Sequence, residues 1–220
     1  MTEVKIKDLF TTDDELLKDF LDSFTYPWEA LPFIKNKLYE IIEKNLNGYY
    51  FLMRGVLVHE SADIDYRSVI NAPCIISENV EVRPFAYLRG GVFLGKNSVV
   101  GNSTEVKNSI LLSGVTVPHY NYVGDSILGK NAHFGAGVIA SNLKSDKSEV
   151  YIKNNTVSMP TGLKKCGAFV GDNAEVGANT VLSPGSVIGK NASIYPLSHV
   201  RGVIDKGVIY KSKADVVNKY

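Results

Sequence analysis

The chain has 220 residues, with 24 lysines and arginines against 23 aspartates and glutamates, for a formal net charge of +1. That balance argues against a partner recruited by bulk charge, whether nucleic acid or a membrane surface, and no stretch approaches the length of a membrane span. Two cysteines, Cys74 and Cys166, are too few for a disulfide framework, so reduced structural thiols are expected.

Residues 1–50 read as a helical segment distinct from the rest. The opening MTEVKIKDLFTTDDELL has neither a basic leader with an apolar run nor a small-residue cleavage site, and a cytoplasmic protein is expected. Thr12 and Glu15 are spaced for a capping box, opening a helix with Leu16, Leu17, Phe20, Leu21 and Phe24 on one face. A second helix is predicted from Pro32 to Leu46, lined by Ile34, Leu38, Ile41 and Ile42 and stopped by Asn47-Gly48. Neither helix carries a catalytic signature. They are expected to cap the open first coil of the domain that follows, with Trp28 in a packing role.

From Tyr49 the chain is extended, and from Val58 a period of six sets in. Val58, Ile64, Ile70, Ile76, Val82, Leu88, Leu94, Val100 and Val106 stand six apart. Smaller residues follow four positions later, among them Ala62, Ser68, Cys74, Ala86, Ser98 and Thr104. The row resumes over Val170, Val176, Leu182, Ile188, Ile194 and Val200. A period of six fits neither a helix at 3.6 nor a simple strand at 2. It predicts an all-β fold over residues 51–220, a parallel β-helix of hexapeptide repeats behind an N-terminal α-helical segment, and the resemblance to known hexapeptide repeats implies a left-handed β-helix. Three hexads of such a repeat close one triangular coil. The spacing slips to five from Val106 to Leu111 and from Val123 to Leu128. Allowing for the slips gives about seven coils, and at about 4.8 Å each a prism about 34 Å long. Residues 141–165 interrupt the pattern with a polar, lysine-rich excursion of a length usually functional or mobile. The tail after Val200 holds a short β-like piece at Val208–Tyr210.

The three-hexad register places side chains of distant sequence side by side. Leu88, Val106, Val123 and Ala140 stack on one face, so Arg89, Lys107, Gly124 and Ser141 form one outer column and Gly90, Asn108, Asp125 and Asn142 the next. The residues just before them are Tyr87, Glu105, Tyr122 and Ile139. Arg89 and Lys107 then start about 4.8 Å apart at the backbone, and two cations that close need a carboxylate or a bound anion between them. Glu105 is one candidate, giving a solvated surface cluster; a phosphate is the other. His119, in P-H-Y-N-Y-V-G-D just ahead of Val123, is either a surface turn residue or a general base, beside Tyr122, Asp125, Lys107 and Asn142 by register. A metal is not expected. The four histidines His59, His119, His133 and His199 include no close pair, and a zinc site needs three ligands with an open position. Gly135-Ala136-Gly137 is a repeat turn, since no strand-to-helix setting follows it as a phosphate loop requires.

These residues resemble a known family. PFAYLRGG, EVKNS, HYNYVGDS, NAHFGAG and SNLKSD, followed by TGLKKCGAFVGDNAEVGANTVLSPGSVIG, are similar to the acetyltransferase domain of glucosamine-1-phosphate acetyltransferase/N-acetylglucosamine-1-phosphate uridylyltransferase. They are closer still to the C-terminal domain of archaeal sugar-phosphate nucleotidylyltransferases. The resemblance covers residues 58–200. It implies an acyltransferase with acetyl-CoA as donor, a sugar phosphate as acceptor and a homotrimer that seats the donor between adjacent prisms. His119 is the implied catalytic base. Arg89, Lys107 and Tyr122 are the implied sugar-phosphate contacts, with Asn142 near acceptor and thioester, and Lys147, or Lys144, reaching the phosphate from the following loop. Ala136, Asp172 and Tyr195 would face the cofactor.

The chain departs from this family in two respects. Residues 1–50 are too short to hold the nucleotidylyltransferase domain, so a separate one is a possible partner, and His133 stands where the uridylyltransferase family has an asparagine. The rival readings are an acyltransferase for another acceptor such as a nucleotide sugar, or a non-catalytic module that binds sugar phosphates or a partner protein.

Overall fold

The computed structural model describes residues 4–12, 14–154, 158–212 and 214–219. Strands of mostly two to four residues stack in register into three long parallel faces, as the hexads require. The helix-covered face runs from Val56–His59 through Cys74–Ile76, Val92–Leu94, Ser109–Leu111, Ile127–Leu128, Ala168–Val170 and Ser186–Ile188 to Val203–Ile204. The chain then turns onto a third face that starts at Asp63–Ile64, and from there onto the site face, which starts at Val69–Ile70. The aliphatic row points inward and is buried from Val56 to Tyr210 as one core, with the smaller Ala86, Ala132, Ala174 and Ala192 filling the narrow corners. The prism has about eight turns and not seven. Val203–Ile204 and Val208–Ser212 add a last turn that the sequence reading left in the tail. Tyr210 closes its end, buried, with its hydroxyl donating to the His199 carbonyl at 3.2 Å.

One edge of the prism explains its own composition. Asn79, Asn97, Asn131, Asn173 and Asn191 occupy the turn between the helix-covered and third faces, all at positive φ, which asparagine tolerates better than other side-chain-bearing residues. Their amides bond from coil to coil, Asn79 to Asn97 at 3.3 Å, Asn131 to Asn173 at 3.2 Å and Asn173 to Asn191 at 3.3 Å.

The N-terminal helices do not cap the first coil. Helices Ile6–Leu9, Lys18–Asp22, Pro27–Ala30 and Ile34–Ile42 lie along the flank. There Leu9, Trp28, Ile34, Leu38 and Ile41 pack on the outward side chains Leu57, Ile75, Phe93, Ile110, Ile127, Phe169 and Val187. The reason is on that face: its outward position is apolar in successive coils, so the side of the prism has more greasy surface to cover than its end. Trp28 packs as expected, stacked on Tyr26 at 4.6 Å and tilted against Phe169 at 5.9 Å. The Thr12–Glu15 capping box is not formed. Thr12 bonds Asp22 instead, and Asp14 starts the turn by accepting from the Leu16 amide at 3.0 Å. The second helix ends at Ile42, short of Leu46.

Two expected results follow from this flank. Phe93 is fully buried between prism and helices, so Phe93→Ala should cost about 3–5 kcal/mol in chemical denaturation. Asp14 is also buried there, and burial raises its carboxyl above the ordinary range. The folded state therefore holds that proton more tightly than the unfolded state. The stability linked to it is present below the unfolded carboxyl value of about 3.9 and is lost as pH rises through the raised folded value. Asp14→Asn should melt higher than the parent at pH 7, and the gap should close below pH 4.

Candidate active site

The site face carries the residues that the register brought together. Glu105 pairs with Tyr87 on one side and Tyr122 on the other, Val106 with Leu88 and Val123, and Lys107 with Gly124. Asn142 follows Ile139–Ala140, the next strand. Arg89 meets the Glu105 carboxylate at 2.6 Å, so the neutralising group foreseen at Glu105 is in place. Both side chains are well exposed, and exposed pairs contribute about 0–1 kcal/mol. A phosphate can take Arg89 from Glu105 at little cost.

Asp125 is the residue that sequence reasoning undervalued. Its carboxylate is 8% exposed and accepts from three side chains: Asn108 Nδ2 at 2.9 Å, Asn142 Nδ2 at 2.5 Å and Lys107 Nζ at 3.4 Å. Asn108 reaches it from the preceding coil and Asn142 from the following one. The signal was the two five-residue spacings. Each removes one residue from the corner after the site face, and Asn108 and Asp125 take left-handed φ values of 45° and 49° to close the shortened turn. That turn brings Asp125 inward. Gly124 matters for a similar reason, because a Cβ there would lie 2.5 Å from the Tyr122 hydroxyl and 2.8 Å from Asn142 Nδ2. Burial raises the Tyr122 pKa, with the Glu105 and Asp125 charges adding to it, so the phenol stays protonated and available as a donor.

His119 ends strand Thr116–His119 at the opposite edge of the site face, three residues before Tyr122. Its backbone is fixed from two directions: its N–H donates to Asn121 Oδ1 at 3.1 Å, and its carbonyl accepts from Gly137 N–H at 2.9 Å. Asn121, itself buried, ties this corner to the next coil through the Gly135 carbonyl at 2.8 Å. The imidazole is exposed, and among the described residues no side chain bonds it. An anchored backbone under a free ring suits a proton acceptor.

Comparison with known proteins bears on this geometry. Residues 70–165 match the GMPPB C-terminal domain. The chain is 34% identical over 208 residues to the bifunctional protein GlmU of Methanococcus maripaludis strain C5, covering 92% of this chain and 50% of that one. It is 35% identical over 156 residues to a bifunctional sugar-1-phosphate nucleotidylyltransferase/acetyltransferase of Sulfurisphaera tokodaii, covering 71% of this chain and 39% of that one. The chain is thus similar to GlmU-like bifunctional proteins over the residues aligned. It spans half or less of the length of these curated relatives.

Within the prism the remaining expected site residues fall in different places. Ala136 and Tyr195 are exposed on the same edge as His119, at the turns after His133–Phe134 and Ser193–Ile194. Asp172 lies on another edge, between the helix-covered and third faces, and is buried. Its carboxylate accepts from Thr11 N–H at 2.8 Å, Thr11 Oγ1 at 2.7 Å and Lys130 N–H at 2.8 Å, and pairs with Lys190 at 2.8 Å. It anchors the N-terminal segment and does not join Ala136 and Tyr195 within one protomer. Lys147 is exposed at a turn where its N–H donates to the Lys144 carbonyl at 3.0 Å, whereas Lys144 lines a concavity beyond Asn142. His133 belongs to the third face, its Nδ1 held by Thr116 Oγ1 at 2.5 Å. Both cysteines are free and buried, and burial pushes their thiols far up, so neither is a nucleophile. Among the described residues no group of three histidine, cysteine or acidic side chains is placed to hold a metal, and no helix is long and apolar enough to cross a membrane.

Proposed function

We propose that this chain is a CoA-dependent N-acetyltransferase acting on an amino-sugar phosphate, with His119 as general base. The observation that carries the reading is the occupancy of one face: His119 stands at one edge, Arg89 and Lys107 at the other, and Tyr122 and Asn142 between or beside them. Three residues of strand at about 3.3 Å each put roughly 10 Å between those edges, the span of a phosphorylated hexose.

In this reading the phosphate displaces Glu105 from Arg89 and also engages Lys107, while Tyr122 donates to the sugar. The amine then lies at His119. Its nitrogen attacks the thioester carbonyl carbon of acetyl-CoA, and the imidazole takes the proton that the amine loses. The tetrahedral oxyanion is held by backbone N–H groups of a coil turn, the C–S bond breaks, and the departing thiolate of CoA takes the proton from the His119 imidazolium to leave as the thiol. No covalent enzyme intermediate is needed.

A homotrimer belongs to the same proposal. Along the edge of His119, Phe85, Tyr120 and Leu197 are exposed, the last by 80%, and hold φ of 64°, 53° and 58°. Bulky residues in the left-handed region are strained, and strain of that kind is kept where it serves contact or function. A neighbouring prism packed on this edge covers the apolar groups and supplies the second wall of a cleft for the donor near Ala136 and Tyr195. The test is release of free thiol from acetyl-CoA across glucosamine-1-phosphate and galactosamine-1-phosphate, with sedimentation run in parallel. Release that needs the phosphorylated amino sugar supports the reading. A folded trimer that releases thiol with neither sugar points to another acceptor or to a binding protein.

A further inference from the structure

Beyond Asn142 the site face continues for two more coils, and its outer column runs Lys107, Gly124, Ser141, Ser183 and Arg201. A concavity opens there, lined by Tyr151, Lys153, Ser183, His199 and Arg201 with Lys144 at the rim. One wall is the hairpin Tyr151–Lys153/Ser158–Pro160 of the excursion. That hairpin is seated firmly: Val150 and Ile152 are buried against the flank core, and a Cβ on Gly202 would lie 2.4 Å from the Lys153 carbonyl. Lys153 and Arg201 are thus brought beside each other by fixed backbone.

Among the described residues neither cation is ion-paired, whereas Arg67, Arg83 and Arg89 each pair with a carboxylate. Lys153 Nζ lies 5.6 Å from the centre of the Tyr151 ring instead. The acidic residue in the lining, Asp146, already accepts from Ser148 N–H at 3.0 Å and Ser148 Oγ at 2.8 Å. Ser183 Oγ and the His199 ring, 2.8 Å apart, add further hydrogen-bonding groups, and the Tyr151 ring is partly exposed. Two neighbouring cations, a hydroxyl–imidazole pair and an open aromatic ring match a nucleotide with a diphosphate.

We infer that this concavity is a nucleotide site, in which Arg201 and Lys153 bind the diphosphate and Tyr151 offers its ring to the base. Its meaning rests on the acetyl-transfer reading, where two substrates could bring that group: the CoA donor, or an acceptor that is a nucleotide sugar.

The experiment is calorimetric titration of CoA, a uridine diphosphate sugar, pantetheine and inorganic phosphate into the full chain. The variants are Arg201→Glu, Arg201→Gln, Lys153→Glu and Tyr151→Ala, each checked for an unchanged melting curve. One nucleotide should bind the parent, and each charge reversal should weaken it at least tenfold while pantetheine is indifferent. A response of CoA assigns the site to the donor, with KM for acetyl-CoA rising and kcat retained. A response of the uridine diphosphate sugar assigns it to the acceptor. Nucleotide binding that needs Arg201 in a chain without turnover upholds the site and removes the reaction. A parent that binds neither nucleotide, or folded variants that bind as the parent does, overturns the inference.

Discussion

Replacing His119 by alanine or glutamine should lower kcat for acetyl transfer by about 10²–10⁴-fold while the protein stays folded. The ring is exposed and, among the described residues, no side chain bonds it, and the corner beneath it is held by Asn121 and Gly137 without its help. The acceptor's KM should move little, because the phosphate end is held at the other edge of the face. A general base also imposes an acidic limb on the pH profile, since the rate falls as the imidazole protonates. That limb should vanish in His119→Gln. Steady-state rates across pH, with a melting curve for each variant, separate this from a structural loss. A variant that keeps both its rate and its acidic limb would remove His119 from the chemistry.

Arg89→Ala and Lys107→Ala should each weaken the amino-sugar phosphate by about tenfold or more, since a hydrogen bond to a charged group contributes about 1.5–3 kcal/mol. The two losses should differ in kind. Arg89 sits in an exposed pair, so its removal leaves Glu105 solvated and the fold unchanged. Lys107 is the partner of the buried Asp125, and its removal leaves that carboxylate with only the two asparagine amides. Lys107→Ala should therefore also lower thermal stability, and Lys107→Met should not restore acceptor binding. An amino sugar lacking the phosphate should be used equally poorly by parent and variants. Acceptor KM and melting temperature, read together, check both effects.

The prism was legible because its rule is local. One aliphatic residue must point inward at every sixth position, and the row from Val58 to Val106 states this nine times. The same register also placed Arg89, Glu105, Lys107 and Tyr122 on one face, because stacked coils convert sequence spacing directly into proximity. The position of the helices was less plain, yet it too was written in the chain. Leu57, Ile75, Phe93, Ile110, Ile127, Phe169 and Val187 precede the inward residue on one face only, and that apolar column asks for a cover. Asp125 was harder to see. A deleted corner residue reads as an irregularity, and its effect, a carboxylate turned inward between two asparagines, exists only in three dimensions. Asp172 shows the reverse: an exposed-looking turn acid that the Thr11 segment, 161 residues away in sequence, covers and claims.

The most direct measurement is product identification by mass spectrometry after mixing the chain, acetyl-CoA and an amino-sugar 1-phosphate. The account predicts an N-acetylated sugar phosphate and free CoA in equal amounts, with neither formed when His119 is glutamine. Sugar phosphate bound through Arg89 and Lys107 while acetyl-CoA stays intact would contradict it, and would make this face a binding surface and not a catalytic one.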